Sequence, residues 1–284
     1  LASSVQDLEN VVRVVDTPAG LSLDRAIIID AGVTTEGDLD FVTPDDSEAA
    51  ENVGNVFINL AGGSTIDGNI VLDANGNAGV SGTFDTLTIV SFGDEANTIT
   101  GGISADGSGT AAGVTTMAEN DLLNVVVDAA ADLAVEGNIV FQALAADSSA
   151  TLTLSGAGNV ALATLDATTD DQVTGLTIDM QNLGGTLTLT ADNDWTALDL
   201  TVIGNSAENP IVLGDDVTLD LTAEQANNLF IVSAADVDTA GTVNIIDLDN
   251  GVTYDFSGID TEVAGKITLA PTEDDDEKSS RIQL

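Results

Sequence analysis

The sequence predicts an all-β protein, and within that class an elongated β-solenoid (a parallel β-helix), with tandem β-sandwiches as the competing architecture. Three observations point there. Short runs of β-branched and aliphatic residues recur at intervals of roughly 8 to 14 residues, separated by Gly, Asn, Asp and Ser. A Gly, usually followed by Asn, directly precedes many of these runs. The chain is 43% hydrophobic but only 3% aromatic, so its interior must be built from small aliphatic side chains, which suits narrow stacked coils.

The runs follow one another along the chain with little else between them. Val56-Phe57-Ile58, Ile70-Val71-Leu72, Thr86-Leu87-Thr88-Ile89-Val90 and Ile139-Val140-Phe141 come first. Thr151-Leu152-Thr153-Leu154, Leu176-Thr177-Ile178, Thr186-Leu187-Thr188-Leu189, Val217-Thr218-Leu219-Asp220-Leu221 and Val243-Asn244-Ile245-Ile246 follow. Several alternate apolar residues with Thr or Asp, the period of a strand with one buried and one wet face. Helical periodicity is nearly absent.

The glycine punctuation stands at Gly54-Asn55, Gly68-Asn69, Gly137-Asn138 and Gly158-Asn159, and with another second residue at Gly185-Thr186, Gly241-Thr242 and Gly265-Lys266. Gly and Asn tolerate left-handed backbone conformations, so each pair can turn a corner before the next strand. One short strand after each corner is the signature of a solenoid. Immunoglobulin-type sandwiches use similar strand spacing but bury a Trp or Tyr, and this chain has one of each, Trp195 and Tyr254. About a dozen coils of roughly 20 to 25 residues are expected, a rod of roughly 50 to 60 Å at the usual strand spacing.

The 4 prolines mark no linker. The expected division is therefore an N-terminal strand segment over residues 1–30 with a part in assembly, one repetitive β domain over 31–271, and a tail over 272–284. In that tail the acidic run Thr272 to Glu277 precedes Lys278 and Arg281.

The charge balance narrows the function. Among 284 residues, 48 are Asp or Glu and 5 are Lys or Arg, a formal net charge of −43. The basic residues are Arg13, Arg25, Lys266, Lys278 and Arg281, and none lies between Ala26 and Gly265. Binding phosphate backbones or anionic head groups relies on Lys and Arg, so nucleic acid and anionic membrane surfaces are not expected as partners. No apolar run is long enough to span a bilayer as a helix, so membrane insertion is not expected. The acidity fits a saline environment, divalent-cation binding, or both. The chain begins at Leu1 rather than Met, as expected either of a mature secreted chain or of a fragment of a longer one, and the expected location is outside the cell or on its surface.

With no His and no Cys, the usual general base, thiolate nucleophile and zinc ligands are absent. No catalytic residues are expected. Oxygen-rich turns remain, and they suit calcium, which takes six to eight oxygen ligands. The best candidate is Asp247-Leu248-Asp249-Asn250-Gly251, where Asp247 and Asp249 alternate to one side and Asn250-Gly251 turns the chain. Asp192 and Asp194 flank Asn193 in a second cluster. Two further segments, Gly62-Gly63-Ser64-Thr65-Ile66-Asp67-Gly68 and Gly101-Gly102-Ile103-Ser104-Ala105-Asp106-Gly107, place Asp67 and Asp106 in a shared Gly-Gly-x-x-x-Asp-Gly spacing.

That spacing resembles the calcium-binding nonapeptide repeats of RTX proteins, which set Gly-Gly and an Asp in a tight turn between short strands. It departs from them at the fourth position, where Thr65 and Ser104 stand in place of Gly, and the two copies are not in tandem. The chain as a whole resembles, in composition, the secreted surface-layer and adhesin proteins of prokaryotes. The resemblance implies lattice, fibre or matrix formation supported by calcium. The expected function is thus a self-assembling extracellular subunit forming a homopolymer, with Arg13, Arg25, Lys278 and Arg281 meeting an acidic neighbour. The alternative is an adhesin or phage-fibre module that recognises a cell-surface glycan.

Overall fold

A strand that alternates inward aliphatics with outward Thr, Asn or Asp buries only one side, so it needs a second layer to cover that side. This chain supplies the cover by coiling on itself. The computed structural model describes residues 13–16, 25–42, 55–73, 86–106, 122–143, 147–167, 173–235, 239–249, 252–260, 263–267 and 281–283. Within them the fold is a β-solenoid of about 6 turns, each turn laying one strand on each of three faces.

Face one stacks Arg25–Ile29, Val56–Ala61, Leu87–Phe92, Asn124–Ala129, Ser148–Gly156, Val173–Leu183 and Asp199–Ile203. Face two stacks Thr34–Glu36, Thr65–Asp67, Asn97–Ile99, Leu133–Val135, Val160–Leu162, Leu187–Leu189, Ile211–Leu213 and Ile231–Ser233. Face three begins with Leu39–Val42, Ile70–Asp73, Ile103–Asp106, Ile139–Val140 and Leu165–Asp166. The same slot is then filled by a separate sheet of Asn193–Asp194, Thr218–Thr222, Thr242–Ile246 and Ala264–Ile267.

Among the described residues every strand pair is parallel except Arg13–Asp16 with Arg25–Ile29, which is antiparallel. Sandwiches are built from antiparallel Greek keys, so the parallel pairing selects the solenoid. The register stacks like on like: Ile27, Ile58, Ile89, Val127 and Leu154 form one inward column of face one. On face two Ile66, Ile99, Val135, Leu162, Leu189 and Leu213 form another. All are buried, each contributing about 1.5–3 kcal/mol by leaving water.

Coils are longer and fewer than the sequence predicts. Hydrogen bonds joining equivalent corners of successive coils span 31 and 33 residues near the start and 27 further on. A coil here holds three strands, two tight corners and a longer return from face three to face one. The sequence spacing registers the strands but not which of them close a turn. The expected boundary at residue 30 falls at the first corner of the first coil, because Arg25–Ile29 already pairs with Val56–Ala61.

Face one ends on a short helix, Ala223–Ala226, which follows Thr222 through a capping box with Gln225. The Gln225 side-chain amide also donates to the carbonyls of Trp195 and Leu198. Trp195 and Phe256 are buried in the coils that follow the break in face three, and Tyr254 stacks on Phe256 with ring centroids 5.8 Å apart. Of the buried rings, Trp195, Tyr254 and Phe256 lie in these later coils and Phe41 and Phe141 in earlier ones.

Candidate functional site: an acidic groove where face three divides

Asn193 is the residue that splits face three. It is buried at the second corner of its coil, and its side chain takes up bonds that a neighbouring strand would otherwise make. Its Oδ1 accepts from the Leu165 N–H at 2.8 Å, while Nδ2 donates to the Ala163 and Ala191 carbonyls at 3.0 and 2.8 Å. Leu165–Asp166 consequently ends one sheet and Asn193–Asp194 starts the next. An open groove lies over the join.

The groove is lined by Thr164, Asp166, Asp192, Asp194, Thr218 and Asp220 around the buried Leu165 and Asn193. Asp192 and Asp194, both predicted from the sequence, are brought together here with Asp166 and Asp220, which were not. Asp192 Oδ1 accepts from the Thr218 N–H at 2.7 Å. Asp194 Oδ1 accepts from the N–H and hydroxyl of Thr196 at 3.0 and 2.6 Å. Asp220 Oδ1 accepts from the Asn244 side-chain amide at 2.7 Å. Among the described residues no three acidic side chains converge as a ready-made metal cage. The carboxylates instead line the groove singly, each on its own hydrogen-bond partners or strand.

Register explains one pair among them. Asp194 pairs directly with Asp220 on the next coil. The same relation recurs twice among the other sequence candidates: Asp67 pairs with Glu36 on face two, and Asp106 occupies the register position beside Asp73 on face three. Strands lie about 4.8 Å apart, and two like charges at that separation repel by roughly 0.9 kcal/mol in water. Asp67 also accepts from the Thr100 hydroxyl at 3.0 Å.

The two segments with Gly-Gly-x-x-x-Asp-Gly spacing are not equivalent in the fold. Gly62-Gly63 turns the first corner of its coil, between faces one and two, whereas Gly101-Gly102 turns the second corner, between faces two and three. Asp67 and Asp106 therefore lie on different faces. Equal spacing did not mean equal phase, because the motif is shorter than one turn.

Asp247 and Asp249 are exposed on either side of the buried Leu248, as their alternation predicts. Asp247 has a left-handed backbone, φ 56°, and the Asp249 N–H donates to the Tyr254 hydroxyl at 3.2 Å. Asn250 lies outside the described residues. This turn is separate from the groove.

Of the basic residues expected in assembly, Arg13 and Arg25 belong to the antiparallel pair on the first edge of face one, where Arg25 is in register with Asp16. Arg281 belongs to a strand paired with Thr253–Asp255 at the other end of the stack. Lys278 lies outside the described residues.

Sequence reasoning missed Asp166, Asp220, Glu36 and Asp73. Their signal is a separation of one coil from a candidate carboxylate, which becomes readable only once the coil length is known. No protein-family model, no curated protein and no solved structure matches this chain.

Proposed function

We propose that the protein is an extracellular structural subunit that self-associates, with divalent cations bridging carboxylates of adjacent coils and adjacent copies. The observation that carries this reading is the in-register stacking of acidic residues at strand spacing, Asp194 beside Asp220 and Glu36 beside Asp67, with Asp73 and Asp106 at one shared register position. Each such pair raises the free energy of the folded chain unless a cation lies between its members. The groove over Asn193 adds Asp166 and Asp192 to one pair, giving hard oxygen ligands of the kind calcium takes.

A solenoid is quasi-one-dimensional and repeats its surface along its axis, so a contact made by one coil can be made again by the next. That favours an architectural role over a single reactive centre. Arg13 and Arg281 belong to strands toward opposite ends of a predominantly acidic stack, which suits contact between successive copies.

The test is negative-stain electron microscopy of the chain across a calcium titration, with sodium chloride at matched ionic strength as control. Ordered sheets or fibres that form with calcium and not with sodium support the reading. Dispersed rods at every calcium concentration overturn it and favour a monomeric adhesin.

A further inference from the structure

The three ladders of the solenoid do not end together. Faces two and three run on past the coil of Asp199–Ile203, since Ile211–Leu213 pairs with Ile231–Ser233 and Thr218–Thr222 with Thr242–Ile246. Face one stops. Asp199–Ile203 pairs with Val173–Leu183 on one side, and among the described residues no strand pairs with its other edge. Where the chain next reaches that slot it forms the single helical turn Ala223–Ala226, which lies against Asp199–Ile203. Four helical residues advance about 6 Å, against roughly 17 Å for a five-residue strand, so the turn covers only part of the edge.

The consequence shows in burial. Leu200 and Val202 are in register with Leu176 and Ile178, which are buried, yet both are only half-buried. Ile203 is 37% exposed. Every other strand whose burial is described buries at least one residue, and Asp199–Ile203 buries none. Two side-chain amides stand in for the missing ladder. At the start of the strand, Gln225 donates to the Trp195 carbonyl at 2.7 Å and to the Leu198 carbonyl. Past its end, Asn205 accepts from the Phe230 N–H at 2.6 Å and donates to the Phe230 carbonyl at 3.0 Å.

We infer that the coils from Ala223 onward form a terminal cap that opens from face one as a unit, with Gln225 and Asn205 as its latches and the edge of Asp199–Ile203 beneath it. Solenoid stability is close to a sum of coil–coil interfaces. Partial unfolding from the C-terminal end therefore stops where a weak interface gives way to a full one. The interface without a face-one ladder is the weak one. The coil of Asp199–Ile203 rests on all three ladders of the coil before it, through Val173–Leu183, Leu187–Leu189 and Asn193–Asp194.

The cap is tied together internally. The Asn228 N–H donates to the Asp255 carbonyl at 2.8 Å, and the Asp255 N–H donates to the Asn227 side chain at 2.8 Å, which joins the helical segment to Thr253–Asp255. Thr242–Ile246 pairs with Ala264–Ile267, and Leu248, Tyr254, Phe256 and Ile259 are buried. The division of face three is not a second such boundary. There Ser148–Gly156 and Val173–Leu183 pair along most of their length on face one, and Asn193 bonds across the join. What the cap guards is a sheet edge flanked by Leu200, Val202 and Ile203. Proteins blunt such edges with Lys or Pro, and this strand has neither.

The experiment is hydrogen–deuterium exchange of the full chain, read by mass spectrometry at several urea concentrations below the unfolding midpoint. Amides of Thr242–Ile246 and Thr253–Asp255 report the cap, and those of Val56–Ala61 and Leu87–Phe92 report the body. In wild type the cap is expected to exchange at least about tenfold faster than the body and with a smaller urea slope, because opening it exposes less surface than unfolding the chain. Gln225→Ala removes both bonds to the edge coil and is expected to speed cap exchange roughly tenfold. Asn159→Ala loosens coils that stay folded when the cap opens, so it is expected to speed exchange in the body and leave the cap unchanged.

Equal rates and equal urea slopes for cap and body in wild type overturn the inference, since the cap then opens only with the whole chain. An Asn159→Ala variant that speeds both regions by the same factor overturns it for the same reason. A folded Gln225→Ala variant whose cap exchanges as in wild type removes the latch. Gln225→Glu separates the amide from its packing, because it keeps the size and the oxygen that accepts from the Thr222 N–H but loses the donor. Its cap is expected to exchange at least as fast as that of the alanine variant. A glutamate variant that exchanges like wild type overturns the role given to the amide.

Discussion

Asn159 donates both its backbone N–H and its side-chain amide to a single oxygen of Asp132, at 2.7 and 3.2 Å, across one turn of the solenoid. Asn69 does the same to Asp38, at 2.7 and 3.1 Å. In each case the Asn Oδ1 then accepts from the next coil, Thr186 in one and Gly102 in the other. The Gly-Asn pairs thus do more than turn the chain. At two corners they form a ladder that fixes each coil against its neighbour.

Asn159→Ala breaks the rung to Thr186 and the side-chain bond to Asp132, and leaves the bond from its own backbone N–H to Asp132 in place. The expected loss is about 1–2 kcal/mol, since hydrogen bonds to a charged acceptor contribute more than neutral ones. Asn159→Asp keeps the size but removes the donor and sets a carboxylate beside Asp132. Its urea midpoint should be lower than that of the alanine variant in low salt, and the gap should shrink as salt is added.

Asn193→Ala removes a buried side chain that satisfies the Leu165 N–H and two carbonyls. Each group left without a partner costs about 1–3 kcal/mol, so a loss of roughly 2–4 kcal/mol is expected. The buried Trp195 provides the fluorescence signal for urea unfolding. A loss below about 1 kcal/mol, the usual net value of a single bond, would show that the division of face three does not depend on this side chain.

Asp220→Asn removes one charge from the Asp194 pair while keeping an oxygen that can accept from Asn244. In calcium-free, low-salt buffer the variant should be more stable than wild type by about 1 kcal/mol or less, the scale of the repulsion it relieves. The rise in Tm on adding calcium should shrink. Equal calcium responses in the two proteins would remove this pair from the cation-bridging scheme.

At the second corner the backbone of Gly101 lies so close to the preceding coil that a Cβ would be 2.3 Å from the Gly68 carbonyl oxygen. Gly101→Ala therefore requires a backbone shift and should lower stability by several kcal/mol, of order 3 or more. Gly184 is the control, because a Cβ there meets the Gly156 carbonyl oxygen at 3.4 Å, an ordinary contact. Gly184→Ala should be neutral or stabilising by about 0.4–1 kcal/mol through a less flexible unfolded chain. Thermal melts of the two variants decide whether close coil stacking, rather than corner flexibility, demands the glycine.

The Asp255 carboxyl is held below its ordinary value of 3.8 by hydrogen bonds from the Ser257 hydroxyl and then its backbone N–H, the latter at 2.9 Å. Because the folded value is depressed, the stability it contributes is present above the unfolded value and is lost as pH falls through the folded one. Ser257→Ala should move the carboxyl titration, followed by carbon NMR, back toward the ordinary value. An unchanged midpoint would leave the backbone N–H as the sole cause.

The sequence by itself determined the class of fold and its small-residue interior. The alternation in Thr151-Leu152-Thr153-Leu154 is local, since strand geometry sends neighbouring side chains to opposite sides whatever the rest of the chain does. The corner role of Gly68-Asn69 and Gly158-Asn159 is equally local, as is the exposure of Asp247 and Asp249 around Leu248. Only the tertiary structure decided how many strands close a turn, and with it every relation between coils. Asp194 meets Asp220, and Asp67 meets Glu36, because the length of each turn sets the register. That length depends on how three strands and their return segment close around one core. The same closure put the two similar glycine motifs at different corners.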